Sequence, residues 1–328
     1  MKRLPLPLFI GVVMLITFSC QETQVASLQT EPSTIRLVDG RISFPSQEAF
    51  RATVQELAKD QEHLDKFDTR FSGYVSMRAA YDQLTDVDAE KIVSKTAGKK
   101  YDNFTVEVGE GEDREITRVI GDPILATLVN ADGWLQIGKE LFKFKRDKFF
   151  VLENTSQARM AQVETGLVVS PDVKVGRVTR SLRNALPNAR VAADIHCLKE
   201  YWVGNNKRRM VGEVIYENYA YYGQTLYTDV RLITKHQKRV LGTSWWETDA
   251  NLRLQWDIRI LNLSNLPGYM DSGNITTVAD GWLQRSYPSS CDNVPGAGTL
   301  CQTLYDNIWT EHMVGCNDGV ARWCNLGL

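Results

Sequence analysis

The stretch LATLVNADGWLQIGKELFKFKRDKFFVL, Leu125 to Leu152, alternates apolar and polar residues around three turn signals and reads as a β-meander. Asn130-Ala131-Asp132-Gly133 makes the first turn, because Asp and Gly tolerate the positive φ of a tight reversal. Gly138-Lys139 makes the second and Arg146-Asp147-Lys148 the third. Between the last two turns, the period of two along a strand places Phe142 and Phe144 on one face and Lys143 and Lys145 on the other. The first face is expected in the core and the second in water.

Working outward, the hexapeptide Ala131 to Gln136 recurs unchanged as Ala279 to Gln284. Two similar hairpins would account for it. A longer duplication would extend into the flanks, and these differ: Ile137-Gly138-Lys139 against Arg285-Ser286-Tyr287.

Upstream of the meander, Ile35-Arg36-Leu37, Asp39-Gly40 and Ile42-Ser43-Phe44 form a hairpin signature. Ser46 can cap a helix whose Phe50, Val54 and Leu57 make a stripe at i, i+4 and i+7. Further short helices fit Glu62 to Phe67, Ser76 to Leu84, and a segment capped by Asp86 that runs through Val93. The order of Val38 to Phe44, Ser46 to Phe50, Phe71-Ser72-Gly73-Tyr74-Val75-Ser76-Met77-Arg78 to Tyr81, then Asp132-Gly133 to Ile137-Gly138 and Phe142 resembles secreted lipoproteins of the Bacteroidota that share a domain of unknown function. The resemblance covers residues 38–153, departs from the pattern at Trp134, and implies an address without implying a chemistry.

The N-terminus carries the same address in its residues. Lys2 and Arg3 precede an apolar run from Leu8 to Phe18, shorter than the roughly 20 residues that span a bilayer and followed by Ser19-Cys20, which is the order of a secretory signal. Thr17-Phe18-Ser19-Cys20 resembles a relaxed lipobox. Acylation of Cys20 would tie the chain to a membrane, and by resemblance to proteobacterial lipoproteins Gln21 favours the outer membrane or cell surface.

The whole reads as α+β: a signal peptide at 1–19, a tether at 20–34, an α+β N-terminal module at 35–157, a linker or crossover at 158–187, an antiparallel β-sandwich-like module at 188–290 and a disulfide-stapled, Cys-rich tail at 291–328. In the β-rich module Leu252, Leu254, Trp256, Ile258 and Ile260 alternate with Arg253, Gln255, Asp257 and Arg259, and turns are expected at Gly204-Asn205-Asn206, Gly223-Gln224 and Thr248-Asp249.

With 38 basic and 40 acidic side chains the chain is near neutral, yet Ala161 to Ile260 is basic between two acidic segments. That pattern suits an anionic envelope polymer or a solvated face, and is too weak for nucleic acid in an exported chain. HExxH, GxSxG and P-loop motifs are absent, and no cofactor or metal signature is present. Glu247 and Asp257 could form the carboxylate pair of a glycan hydrolase. The density of aromatics between Tyr201 and Trp256 is the stronger hint: an exposed indole stacks on a sugar ring or buries at an interface, and Trp202, Trp245 and Trp246 are the candidates. On a strand, one of Trp245 and Trp246 would face the core and the other solvent or a second layer. A non-catalytic module binding glycan or another envelope polymer is therefore the leading expectation, with an envelope hydrolase or a structural subunit of a surface complex as alternatives.

Cys291, Cys301, Cys316 and Cys324 lie in a tail rich in Gly, Asn, Pro and Ser. An exported context favours disulfides over metal. Sequential pairing of Cys291 with Cys301 and of Cys316 with Cys324 is one of three possible patterns. A metal reading would take His312 with Cys316 and Cys324. Cys197 reads as a buried free thiol, with a bridge to the tail as the alternative.

Overall fold

The computed structural model describes residues 34–153, 157–165, 172–180, 195–262, 269–289, 292–294, 298–300, 303–315 and 319–327. Cys20, the tether, Cys291, Cys301 and Cys316 fall outside the described residues. From Thr34 to Leu328 the chain is one compact unit, and it is mostly β.

The unit opens with hairpin β1 (Arg36–Val38) and β2 (Arg41–Phe44), turned by Asp39 and Gly40 at φ 47° and 74°. Four helices follow: α1 (Gln47–Leu57), α2 (Gln61–Arg70), α3 (Met77–Asp82) and α4 (Asp86–Val93). Ser46, Asp60 and Ser76 cap the first three by accepting a backbone N–H bond. Thr85 caps α4, with Asp88 returning the bond to the Thr85 backbone, so Asp86 is the first residue of the helix rather than its cap. Phe50, Val54 and Leu57 are buried as their stripe requires.

Strands β3 (Thr105–Val108) and β4 (Glu115–Arg118) lead to α5 (Pro123–Leu128). The start of the opening stretch is therefore helical, not extended. Asp122 accepts from the Leu125 N–H at 2.8 Å and Pro123 supplies a preset φ, so the local signal for a helix start lay just upstream of the alternation. The rest of the stretch is the expected meander, β5 (Trp134–Ile137), β6 (Glu140–Phe144) and β7 (Lys148–Leu152), entered through Gly133 at φ 81°.

Both faces of this meander are dry. Leu135, Phe142, Phe144, Phe149 and Val151 join the main core with the helices. The other face, expected in water, packs Trp134, Leu141, Phe150 and Leu152 under Val163 of α6 (Gln157–Glu164). Lys143 is completely buried there, its ammonium bonded to Glu164 at 2.7 Å and lying 5.0 Å from the Trp134 ring centroid. Burial lowers its pKa and Glu164 opposes that shift. The covering helix lies in the segment read as linker or crossover, which also holds β8 (Val173–Arg180).

Strand β8 joins β7 to the long strands of the second half, so one curled sheet takes strands from both halves of the sequence. After β9 (Ile195–Val203) come β10 (Asn206–Tyr221), β11 (Gln224–Val240) and β12 (Ser244–Glu247). Next are β13 (Ala250–Asn262), β14 (Tyr269–Asp280) and β15 (Trp282–Ser289), then short β16 (Asp292–Val294) and β17 (Gly298–Leu300). The described chain closes with β18 (Thr303–Gly315) and β19 (Ala321–Gly327). The curled sheet runs β1-β2-β5-β6-β7-β8-β10-β11-β12-β4-β3, with β9 on β10 and β15 on β11. A second sheet runs β14-β13-β18-β19. Val214, Tyr216, Val230 and Leu232 of the first pack on Leu254, Trp256, Ile258 and Ile308 of the second.

Several basic side chains of the middle segment are paired within this fold. Glu115 accepts from Arg209 at 2.8 Å and Lys235 at 3.1 Å, Glu213 pairs with Lys235 at 2.8 Å, and Arg231 pairs with Glu217 at 2.9 Å and Asp229 at 2.8 Å. Arg180 reaches Glu217 at 2.7 Å and Lys238 reaches Asp86 at 2.5 Å. Arg209, Arg231 and Lys235 thus carry their charge inside the fold rather than on a face.

Gly212 of β10 lies directly against His312 of the second sheet. A Cβ there would lie 2.5 Å from His312 Cγ and 2.8 Å from Cys197 Sγ. Gly212→Ala is expected to cost about 1–3 kcal/mol through overpacking, read as a lowered denaturation midpoint; an unchanged midpoint would show that the sheets can separate there at no cost.

Candidate functional site

Helices and both sheets leave a cleft of about 910 Å³ between them. One wall is the α1–α2 corner and α3, the other is the end of β12 with β14 and β15, and Arg118 and α5 lie between. Such a volume suits a ligand of several rings.

Glu247 ends β12 and turns its carboxyl into the cleft. The Tyr81 hydroxyl, presented by α3, donates to Glu247 Oε1 at 3.1 Å and has the Ile116 carbonyl at 3.3 Å as its alternative acceptor. The α3 helix is held in place because Arg78 donates to Thr127 Oγ1 at 3.0 Å and pairs with Asp65 at 2.9 Å and with Asp68. Burial pushes the Glu247 carboxyl up to about 7, while Arg118, Lys235 and the Tyr81 bond pull it down. Asp82, one residue after Tyr81, lies 3.8 Å from Arg118 and 3.9 Å from Arg78. Burial raises its pKa too, with both guanidiniums opposing. Asp280, at the β14–β15 corner, accepts from the Trp282 N–H at 3.2 Å and is likewise raised by burial.

Trp282 is a further aromatic surface of the cleft. The Arg118 guanidinium lies 5.2 Å and the Lys235 ammonium 5.0 Å from its ring centroid. The Trp282 indole N–H, Arg118 Nε and Gln284 Oε1 are buried with no hydrogen-bond partner among the described residues. Tyr81 and Trp246 meet with ring centroids 5.6 Å apart, and Trp256 lines the floor.

Of the indoles singled out from sequence, the structure brings only Trp246 into the cleft, and it is 6% exposed. Trp245 is fully buried: its N–H donates to the Glu112 carbonyl at 2.8 Å, and Arg209 and Arg239 lie 4.5 and 4.3 Å from its ring centroid. Neither member of the pair faces open solvent, because both faces of β12 are covered. Trp202 is 65% exposed on β9, outside the cleft lining.

Asp257 is not Glu247's partner. It alternates with Trp256 on β13 and therefore points away from the cleft floor. Sequence reading missed Tyr81, Asp82, Arg118 and Trp282, although the repeated hexapeptide had marked Trp282. The two copies are not equivalent hairpins: the first enters the meander with Trp134 buried, and the second turns the corner from one sheet to the other with Trp282 in the cleft.

Cys197 is bonded to Cys324. It is therefore no free thiol, the Cys316–Cys324 pairing is overturned, and Cys324 is lost to any metal. His312 is fully buried between the hydroxyls of Thr234 and Thr310, each at 2.8 Å from a ring nitrogen. Among the described residues no group of three or more His, Cys, Asp or Glu could hold a metal ion, and no helix is long and apolar enough to cross a membrane. In comparisons with known proteins, neither a family model nor a curated protein matches this chain.

Proposed function

We propose that this chain is an envelope protein, tied to a bilayer through an acylated Cys20, that binds a saccharide segment in the cleft. The observation that carries the reading is the lining itself. Indole and phenol rings alternate with carboxyls, guanidiniums and an amide, the mixture that a sugar needs because its ring presents apolar C–H faces edged by hydroxyls. Charge favours a neutral polymer over the anionic one suggested by the basic middle segment, since Asp82 and Glu247 stand beside Arg118 and Arg78. The packing of the second sheet on β10 and β11 supports a sandwich-like arrangement for that half of the α+β fold.

Isothermal titration with a panel of neutral and anionic envelope oligosaccharides tests the reading. Trp282→Ala is expected to weaken the best ligand at least about tenfold, the equivalent of about 1.4 kcal/mol, and Trp202→Ala to leave it unchanged. The reverse ranking would move the site to the exposed face of β9. Binding by no member of the panel would end the proposal. For the address, fatty-acid labelling is expected in the wild type and lost in Cys20→Ser; labelling of neither removes the anchor.

A further inference from the structure

Three of the carboxyls that line the cleft, Glu247, Asp82 and Asp280, come from separate elements and meet different surroundings. Glu247 receives a neutral donor, the Tyr81 hydroxyl at 3.1 Å, and among the described residues no cation lies within 4 Å of it. Asp82 stands between two guanidiniums at 3.8 and 3.9 Å. Asp280 is occupied by the backbone of its own corner. Two guanidiniums at that distance favour the anion of Asp82 and, among the described residues, none stands so close to Glu247, an asymmetry that suits the first as base and the second as acid.

We propose that the cleft hydrolyses a glycosidic bond, with Glu247 as the proton donor and Asp82 as the base for water. The proposal rests on the reading of the cleft as a saccharide site. Arg118 supplies an independent sign that the protein leaves a polar ligand to be contacted there: its side chain is 6% exposed, it lines the cleft, and its Nε is without a partner among the described residues. Arg118 also lies 5.6 Å from the Tyr81 ring centroid and 5.2 Å from that of Trp282, so one guanidinium ties the proton donor's partner to the aromatic wall.

In the reaction the bond from the anomeric carbon to the bridging oxygen breaks, and its electron pair stays on the departing oxygen, which takes the Glu247 proton. A water oxygen bonds to the anomeric carbon and yields a proton to Asp82. Exchange of one proton from Asp82 to solvent and one from solvent to Glu247 restores the site, so water is the sole co-reactant. A donor must hold its proton at the working pH. Glu247 does so up to about 7, because burial outweighs Arg118 and Lys235. Asp82 faces Arg78 from its own helix and Arg118 from β4, and both guanidiniums favour its anion against the upward shift that burial causes.

The experiment follows release of reducing ends from each oligosaccharide by the full chain, beside titration of the same sugars. Expected is release by the wild type with a rate that falls as pH rises past about 7. Glu247→Gln should lower kcat about 10²–10⁴-fold while keeping affinity and the denaturation midpoint. An aryl glycoside whose leaving group needs no protonation should recover part of the lost rate in that variant, which a structural role for Glu247 would not allow. A sugar that binds the wild type but releases no reducing ends overturns hydrolysis and leaves saccharide binding standing. Failure of every sugar to bind overturns both.

Discussion

Replacing Cys197 and Cys324 together with Ser is expected to lower stability by about 5 kcal/mol. The bridge closes a loop of 127 residues, and in the chain-entropy model a loop near that length restricts the unfolded chain by that amount. The native state should keep its shape, because β9 and β19 belong to different sheets that also share an apolar interface. Denaturant unfolding of the double Ser variant against the wild type, both without added thiol, reads the effect as a shift in midpoint. A shift below about 1 kcal/mol would mean that the sheets are held by packing alone and that the bond adds nothing to the constraint. The Ser variants remove this bond alone, whereas a reductant acts on every disulfide in a chain.

As the pH falls from 6.5 to about 4, the wild type should lose about 3 kcal/mol of stability relative to a His312→Asn variant. Burial without a counter-charge depresses the His312 pKa from 6.5 to about 4. Below 6.5 the unfolded imidazole binds a proton that the native one refuses, so stability rises with pH across that window and is lost on acidification. His236 is depressed to about 4 in the same way. Glu247, raised to about 7, has the opposite sign: the native carboxyl holds a proton that the unfolded one has released. His236 and Glu247 are common to both proteins and cancel in the difference, so only His312 contributes to it. Equal pH slopes for wild type and variant would show that His312 is protonated in the native state.

Much of the helical layer could be read without coordinates. Ser46 with Phe50, Val54 and Leu57, or the hairpin around Asp39-Gly40, are local: the cap, the turn and the stripe lie within a dozen residues of one another, so the pattern and its cause share a window. Leu252 to Ile258 were legible for the same reason, because a strand with one buried face announces it by alternation. Lys143 was misread by that rule. Alternation tells which residues share a face; it does not tell whether a helix 20 residues away will cover that face, as α6 does.

The candidate site was almost illegible. Glu247 was visible as a carboxylate, but its nearest partner, Tyr81, precedes it by 166 residues, and no local spacing encodes such a contact. Trp245 and Trp246 illustrate the same limit, since a second layer exists on both sides of β12 only after the chain has curled.

Sequence by itself determined the short-range architecture of this protein: caps, turns, the meander after Asn130 and the buried face of β13, each set by steric and hydrogen-bonding preferences that act between near neighbours. Tertiary structure alone decided that the curled sheet runs through the expected linker, that Cys324 finds Cys197, that Arg209, Arg231 and Lys235 are paired internally, and that Tyr81, Asp82, Arg118, Glu247 and Trp282 share one cleft. Those outcomes depend on contacts between residues far apart in the chain, where burial and charge pairing act on whatever the folded backbone has brought within reach.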